Sequence, residues 1–183
     1  MPSTARTLPL SSASEPAWLS NLPAGRDLDR IELSELAVTV ARDDSYWRPL
    51  VQHDGAERHF VQLHRDMHLD VWLICWTNQQ ETGLHDHDVS SGAVHVCAGD
   101  LVEDRLELRE GTFRRVSIGR PQETTFAFDS SHVHCIRHPE GRPPAVSIHV
   151  YSPALWRMGY YDVSANGLLR RTSVIYSEET SAA

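Results

Sequence analysis

Two histidines separated by a single residue, His85 and His87, are the side chains of this sequence best suited to metal chemistry. In an extended strand, residues i and i+2 project from one face, so both imidazoles of His85-Asp86-His87 can meet one ion. A third ligand must come from a distant strand, and the segment HVHCIRH offers His132, His134 and His138. Even offsets preserve parity, so strand geometry alone does not choose among these three. Three neutral imidazoles on one face leave coordination positions open, which suits a divalent iron that must bind substrate and dioxygen together. Zinc accepts the same ligands, but it has no redox chemistry and would point to hydrolysis or a structural site. Among 11 histidines in 183 residues some close pairs arise by chance, so the spacing alone does not separate a metal site from surface or hydrogen-bonded histidines.

The elements that would position these residues are mostly strands. After His53 the chain runs through short stretches rich in Val, Ile, Leu, Trp and Thr, separated by polar or glycine-bearing turns. HFVQLHR, DVWLICWT, GAVHVCAG, DLVEDRLEL, FRRVSIG, ETTFAFD, HVHCIRH, AVSIHVYSP and LLRRTSVIYS read as strands, enough to close a barrel or form a jelly roll. Ahead of them, Ser34 reads as the N-cap of a helix over ELAVTVARDD, and SYWRPLVQHD as a second short helix broken near Pro49. The expected fold is therefore all-β with a small N-terminal helical cap at about residues 34–53. Residues 1–27 mix Pro, Ser, Ala and Thr with few large apolar side chains and are expected to form a mobile segment. Residues 28–183 are then a single domain.

Composition narrows the partners. With 17 Lys plus Arg against 25 Asp plus Glu, the net charge of -8 disfavours nucleic-acid phosphates and anionic membranes. No stretch approaches the roughly 18 apolar residues of a membrane helix, and the N-terminus lacks an apolar export core. Cys75, Cys97 and Cys135 are an odd set inside apolar or strand-like stretches, so a reducing, cytoplasmic setting is expected. A barrel of this size occurs as a monomer or a homodimer, and nothing in the sequence marks an interface.

The surroundings of the histidines add a resemblance. GLHDHDVSSGAVHVCAGDL resembles the first cupin motif, with Gly83, His85, His87 and Gly99 at the expected intervals. Gly92 stands where many cupins carry a glutamate ligand, which resembles the all-histidine thiol dioxygenases of the cysteine dioxygenase family. HVHCIRHPEGRPPAVSIHVYSP resembles that family's second motif, and the likeness runs over about residues 60–160 with a looser echo in YYDVSANGLLRRT. It implies a cupin jelly roll and a mononuclear Fe(II) held by His85, His87 and His134. Ser147, His149 and Tyr151 alternate along one strand, and in the family such a set forms a hydrogen-bonded chain that orients the tyrosine hydroxyl.

Further roles follow from the same resemblance. Arg65 is expected to receive the substrate carboxylate and Trp76 to lie against the substrate, whereas Trp72, on the same strand face, is assigned to the core. Gly92 also stands where animal members carry the cysteine that crosslinks to the active-site tyrosine, so no Cys-Tyr crosslink is expected and Tyr151 should remain a free phenol. Leu63 replaces a carboxylate-binding tyrosine two residues before Arg65. The implied reaction is oxidation of L-cysteine by dioxygen to cysteine sulfinic acid. The alternatives are another small thiol (3-mercaptopropionate, cysteamine or a larger one), a cupin metalloenzyme of another reaction class, or a non-catalytic small-molecule-binding cupin.

Overall fold

Every run read as a strand corresponds to one in the computed structural model, which describes residues 16–23, 25–53, 57–109, 112–163 and 169–175. The strands are β1 (His59–Arg65), β2 (Asp70–Trp76), β3 (His85–Asp86), β4 (Ser91–Ala98), β5 (Leu101–Arg109), β6 (Thr112–Arg120), β7 (Thr125–Phe128), β8 (His134–Arg137), β9 (Ala145–Ser152), β10 (Arg157–Val163) and β11 (Leu169–Ile175). They pair antiparallel in two sheets, ordered β1-β2-β9-β4-β7 and β11-β10-β3-β8-β5-β6. The all-β architecture is as expected. Strands β3 and β10 have no counterpart among the expected runs, because a two-residue strand has no periodicity to read and RMGYYDV carries only partial alternation.

Helices α1 (Ala17–Ser20), α2 (Arg30–Arg42) and α3 (Asp44–Trp47), followed by a 3-10 turn (Arg48–Leu50), lie on the N-terminal side of the strands in sequence. Helix α2 starts earlier than expected: its N-cap is Asp29, not Ser34. The Asp29 carboxylate accepts from the backbone N–H of Ile31 and Glu32 (2.8 and 2.9 Å), and the Glu32 carboxylate accepts from the Asp29 N–H (2.9 Å). The sequence carries this reciprocal capping box as Asp29…Glu32. Ser34 sits inside the helix and donates its hydroxyl to the Arg30 carbonyl (3.0 Å). Within the segment expected to be mobile, Trp18 of α1 is buried at 3 % exposure in the core; residues 1–15 and 24 lie outside the described residues.

Two apolar cores result. Leu33, Leu36, Ala37 and Val40 of α2 pack with Val71 and Leu73 of β2 and with Ile148 and Val150 of β9. The second core, with Trp72, Trp76, Val94, Val96, Phe126 and Ile136, fills the space between the sheets. Alternate residues of β2 and β9 thus feed opposite cores, and all eight residues of β9 are buried. That matters for chemistry, because the polar residues Ser147 and His149 are forced into the same interior as the second core. No helix among the described residues is long and apolar enough to cross a membrane.

Candidate metal centre

Pairing between β3 and β8 brings the first two candidate ligands together. His85 and His134 are direct register partners, and their ring centroids lie 4.9 Å apart. Strand β3 ends at Asp86, so His87 follows the strand rather than continuing it, yet its ring still lies 4.8 Å from His85 and 5.1 Å from His134. One nitrogen from each of the three lies within 4.8 Å of the others. The parity tie among the HVHCIRH histidines is therefore resolved by register. His132 precedes β8 and bonds Glu103, while His138 turns its Nε2 to the Pro143 carbonyl (2.9 Å).

His85 and His134 are each oriented by a specific acceptor. Gly83 adopts φ +72°, a left-handed conformation, and its carbonyl accepts from His85 Nδ1 (3.0 Å), which leaves Nε2 facing the centre. His134 Nδ1 donates to Glu103 Oε1 (3.0 Å), again leaving Nε2 inward. His87 is different: it is fully buried, its ring stacks on Phe128 at 4.8 Å, and neither ring nitrogen has a hydrogen-bond partner among the described residues. An unpartnered buried imidazole is costly, and a metal ion would satisfy one of its two nitrogens. The three residues fit a mononuclear centre on that ground.

Glu103 escapes sequence reading, since nothing in VEDRLEL distinguishes it from a surface glutamate. Fully buried, it accepts from His132 (2.8 Å) and His134 through one oxygen, and from Arg120 (2.5 and 3.0 Å) and Arg105 (3.0 Å) through the other. Burial alone would raise its carboxyl, but the hydrogen bonds from His132, His134 and Arg120 hold it well below the usual range. Glu103, His132 and His134 are also close enough to hold an ion. The two arginines already neutralise that carboxylate, so it serves better as an anchor for His134 than as a ligand.

Ser147, His149 and Tyr151 come together as expected. Trp76 Nε1 donates to Ser147 Oγ (2.9 Å), Ser147 Oγ contacts His149 Nε2 (2.8 Å), and His149 Nδ1 contacts the Tyr151 hydroxyl (3.1 Å). The indole can only donate, and among the described residues His149 Nε2 is the acceptor within reach of the serine's own proton, so that proton goes to Nε2. Burial, chiefly, lowers the His149 pKa well below its ordinary value, so the ring is neutral and its one proton sits on Nδ1. That proton is donated to the tyrosine oxygen, which leaves the phenol O–H to donate to something else. Gly92 is the cross-strand neighbour of Tyr151, and a β-carbon there would meet the Phe128 ring at 2.6 Å and Tyr151 at 2.9 Å.

A cavity of about 120 Å³ opens beside His85, His134, His149 and Tyr151. At roughly 30 Å³ per water, it suits a small molecule rather than a polymer. Its walls are mainly apolar: Phe60, Trp72, Ile74, Ile136, Leu155 and Met158. Three expected roles are corrected here. Arg65 does not line the cavity; its guanidinium pairs with Asp70 and donates to the Leu155 carbonyl (2.6 Å). The cavity's arginine is Arg58, the next one upstream, which donates to the Glu81 carbonyl (2.7 Å) and lies 5.1 Å over the Trp76 ring. The two tryptophans exchange roles, since Trp72 lines the cavity while Trp76 is fully buried behind it as the anchor of Ser147. Leu63, tied to the Arg65 assignment, is buried in the helix-side core.

The metal-free protein should be acid-sensitive. Burial, the largest cause, lowers His85 to about 3 and His87, His134 and His149 below their ordinary value. Below about pH 6.5 the unfolded chain takes up protons that these histidines refuse, so stability falls as pH drops from there toward 3. Thermal melts of chelator-treated protein should shift to lower temperature between pH 7.5 and 5. A melting point that stays flat or rises over that range would contradict the burial.

No curated protein matches the chain. Among solved structures, the chain resembles the protein TT1209 from Thermus thermophilus (TM-score 0.48, 14 % identity, 58 % of this chain and 92 % of that one). It also resembles a cupin superfamily protein from Desulfitobacterium hafniense DCB-2 (TM-score 0.45, 14 % identity, 72 % and 94 % covered). The sequence model of cysteine dioxygenase type I matches residues 1–164, and that range contains His85, His87, His134 and the Ser147-His149-Tyr151 strand. With most of its length matched, the chain belongs to the cysteine dioxygenase type I family and is a cupin-type thiol dioxygenase.

Proposed function

We propose that the protein is an iron-dependent dioxygenase that converts L-cysteine and dioxygen to cysteine sulfinic acid. The observation that carries this reading is His87, whose two buried ring nitrogens have no partner among the described residues while His85 and His134 each present one nitrogen beside it. Ferrous iron there supplies a site where a thiol ionises at neutral pH and meets dioxygen. In balance, RSH and O2 give RSO2H, with sulfur oxidised and both oxygens retained.

The chain's own residues account for the rest. Arg58 presents a guanidinium at the cavity wall, suited to a carboxylate through paired, charge-assisted hydrogen bonds. The apolar walls restrict water, which strengthens that pair and keeps the site from side reactions. Tyr151, with its oxygen already occupied by the His149 N–H, would direct its own proton into the site, toward the substrate. Cys75, Cys97 and Cys135 are all free thiols, which supports a reducing cytoplasmic setting.

The test is dioxygen uptake by the iron-loaded protein with cysteine, 3-mercaptopropionate and cysteamine, with products weighed by mass spectrometry. Cysteine uptake with a gain of two oxygens is expected, and cysteamine, which lacks a carboxylate, should be the poorest. Arg58→Ala should raise KM for cysteine about 10-fold or more while leaving cysteamine unchanged, as expected for a lost charge-assisted contact of about 1.5–3 kcal/mol. Iron-loaded protein that consumes no oxygen with any of the three would refute the reading. Preference for cysteamine would refute the role of Arg58.

A further inference from the structure

The residue between the two adjacent ligands faces the opposite way from them, and what it meets there has no part in the chemistry above. Asp86 leaves the outer face of β3 and accepts hydrogen bonds from two strands and its own loop. Arg171 supplies two of them, through Nε (2.6 Å) and Nη2 (2.8 Å), and the Tyr161 hydroxyl a third (2.6 Å). The backbone N–H groups of Gly159 (3.1 Å) and Asp88 (2.9 Å) complete the set. Asp88, one residue past His87, is held in turn by Arg157 (2.9 Å) and Arg171 (3.4 Å). The hairpin β10–β11 therefore grips the loop carrying His85 and His87 from behind, at two points that bracket His87.

Register explains how Arg171 reaches so far. Gly159 is the neighbour of Asp86 on one side and of Ser173 on the other, so Arg171 must cross the Gly159 position diagonally. A β-carbon at Gly159 would collide with the guanidinium, so the side chain as it lies flat across β10 to Asp86 would have to shift. The family model matches residues 1–164, so Arg171 lies outside the matched range. His87 gains no orientation from its own hydrogen bonds, unlike His85 and His134. Besides its packing against Phe128 and Tyr151, the backbone on either side of it aims its ring.

We propose that Arg171 is a positioning residue of the metal centre, which fixes His87 by clamping Asp86 and Asp88 through the space left open by Gly159. The proposal rests on the metal-centre reading above. If the clamp aims a ligand, loosening it should weaken metal binding without unfolding the sheet. Losses of outer contacts to metal ligands typically cost roughly 10–100-fold in affinity.

The experiment is anaerobic competition for Fe(II) against a chromogenic chelator, with Co(II) absorption spectra as a reporter of ligand geometry. Both are measured on the full chain. Arg171→Ala and Gly159→Ala should each weaken Fe(II) binding about 10-fold or more and alter the visible Co(II) bands, with unchanged far-ultraviolet circular dichroism. Arg170→Ala, the adjacent residue on the other face of β11, should change neither. Arg171→Lys, which keeps the charge but not the paired geometry, should fall between. Should Arg171→Ala fail to fold, Gly159→Ala still displaces the guanidinium and decides the matter. Native Fe(II) affinity and native Co(II) spectra in Gly159→Ala and Arg171→Lys would overturn the clamp alone. Unmodified protein that binds neither metal would overturn the metal-centre reading together with it.

Discussion

Replacing His87 with leucine is expected to abolish iron binding and turnover while leaving the metal-free protein at least as stable as the original. The two effects have one cause. His87 is fully buried, packed against Phe128 and Tyr151, and its two ring nitrogens have no partner among the described residues. Leaving such a group unsatisfied costs about 1–3 kcal/mol, and an apolar side chain of similar size removes that cost. The same change takes away one of three ligands, so affinity should fall well beyond the roughly 10–100-fold that follows from losing an outer contact. Metal analysis and thermal melting of chelator-treated samples measure both halves. A leucine variant that retained stoichiometric iron would remove His87 from the ligand set, whereas one that melted far below the original would mean that the orphaned nitrogens carry no cost.

Tyr151→Phe should keep iron and fold and lose about 100-fold or more in kcat, with KM for cysteine little changed. The hydroxyl is the end of a chain whose direction is set by chemistry, from the Trp76 indole through Ser147 and neutral His149 to the phenol oxygen. Removing it deletes one oriented donor and no ligand, so the loss should appear in the step that follows substrate binding. His149→Gln offers a comparison: it leaves the phenol in place without its fixed partner and should give a smaller fall in kcat. Equal kcat in the original and the phenylalanine variant would make the chain a packing feature.

Much of this arrangement is legible in residue order because it depends on short-range periodicity. Alternation places Ser147, His149 and Tyr151 on one face of β9, and the structure joins them by hydrogen bonds. The strand runs themselves are equally visible, being long, β-branched and bounded by turns. Asp29…Glu32 also announces the true start of α2, although the apolar spacing after Ser34 draws attention away from it.

What tertiary structure alone decided were matters of register and of which core each face meets. HVHCIRH offers three histidines of equal parity, and only the pairing of β3 with β8 brings His134 opposite His85. Arg58 precedes β1 and Arg65 ends it, yet one reaches the cavity and the other is consumed by Asp70 and Leu155. Trp72 and Trp76 share a strand face, yet Trp72 lines the cavity and Trp76 bonds Ser147 beneath the Arg58 guanidinium. Glu103 and Arg171 look like ordinary surface charges in sequence, because partners far away along the chain leave no local pattern. Period-two alternation tells which side of a strand a residue leaves. It carries no information about what stands across from it, since that depends on the pairing of segments far apart in the chain.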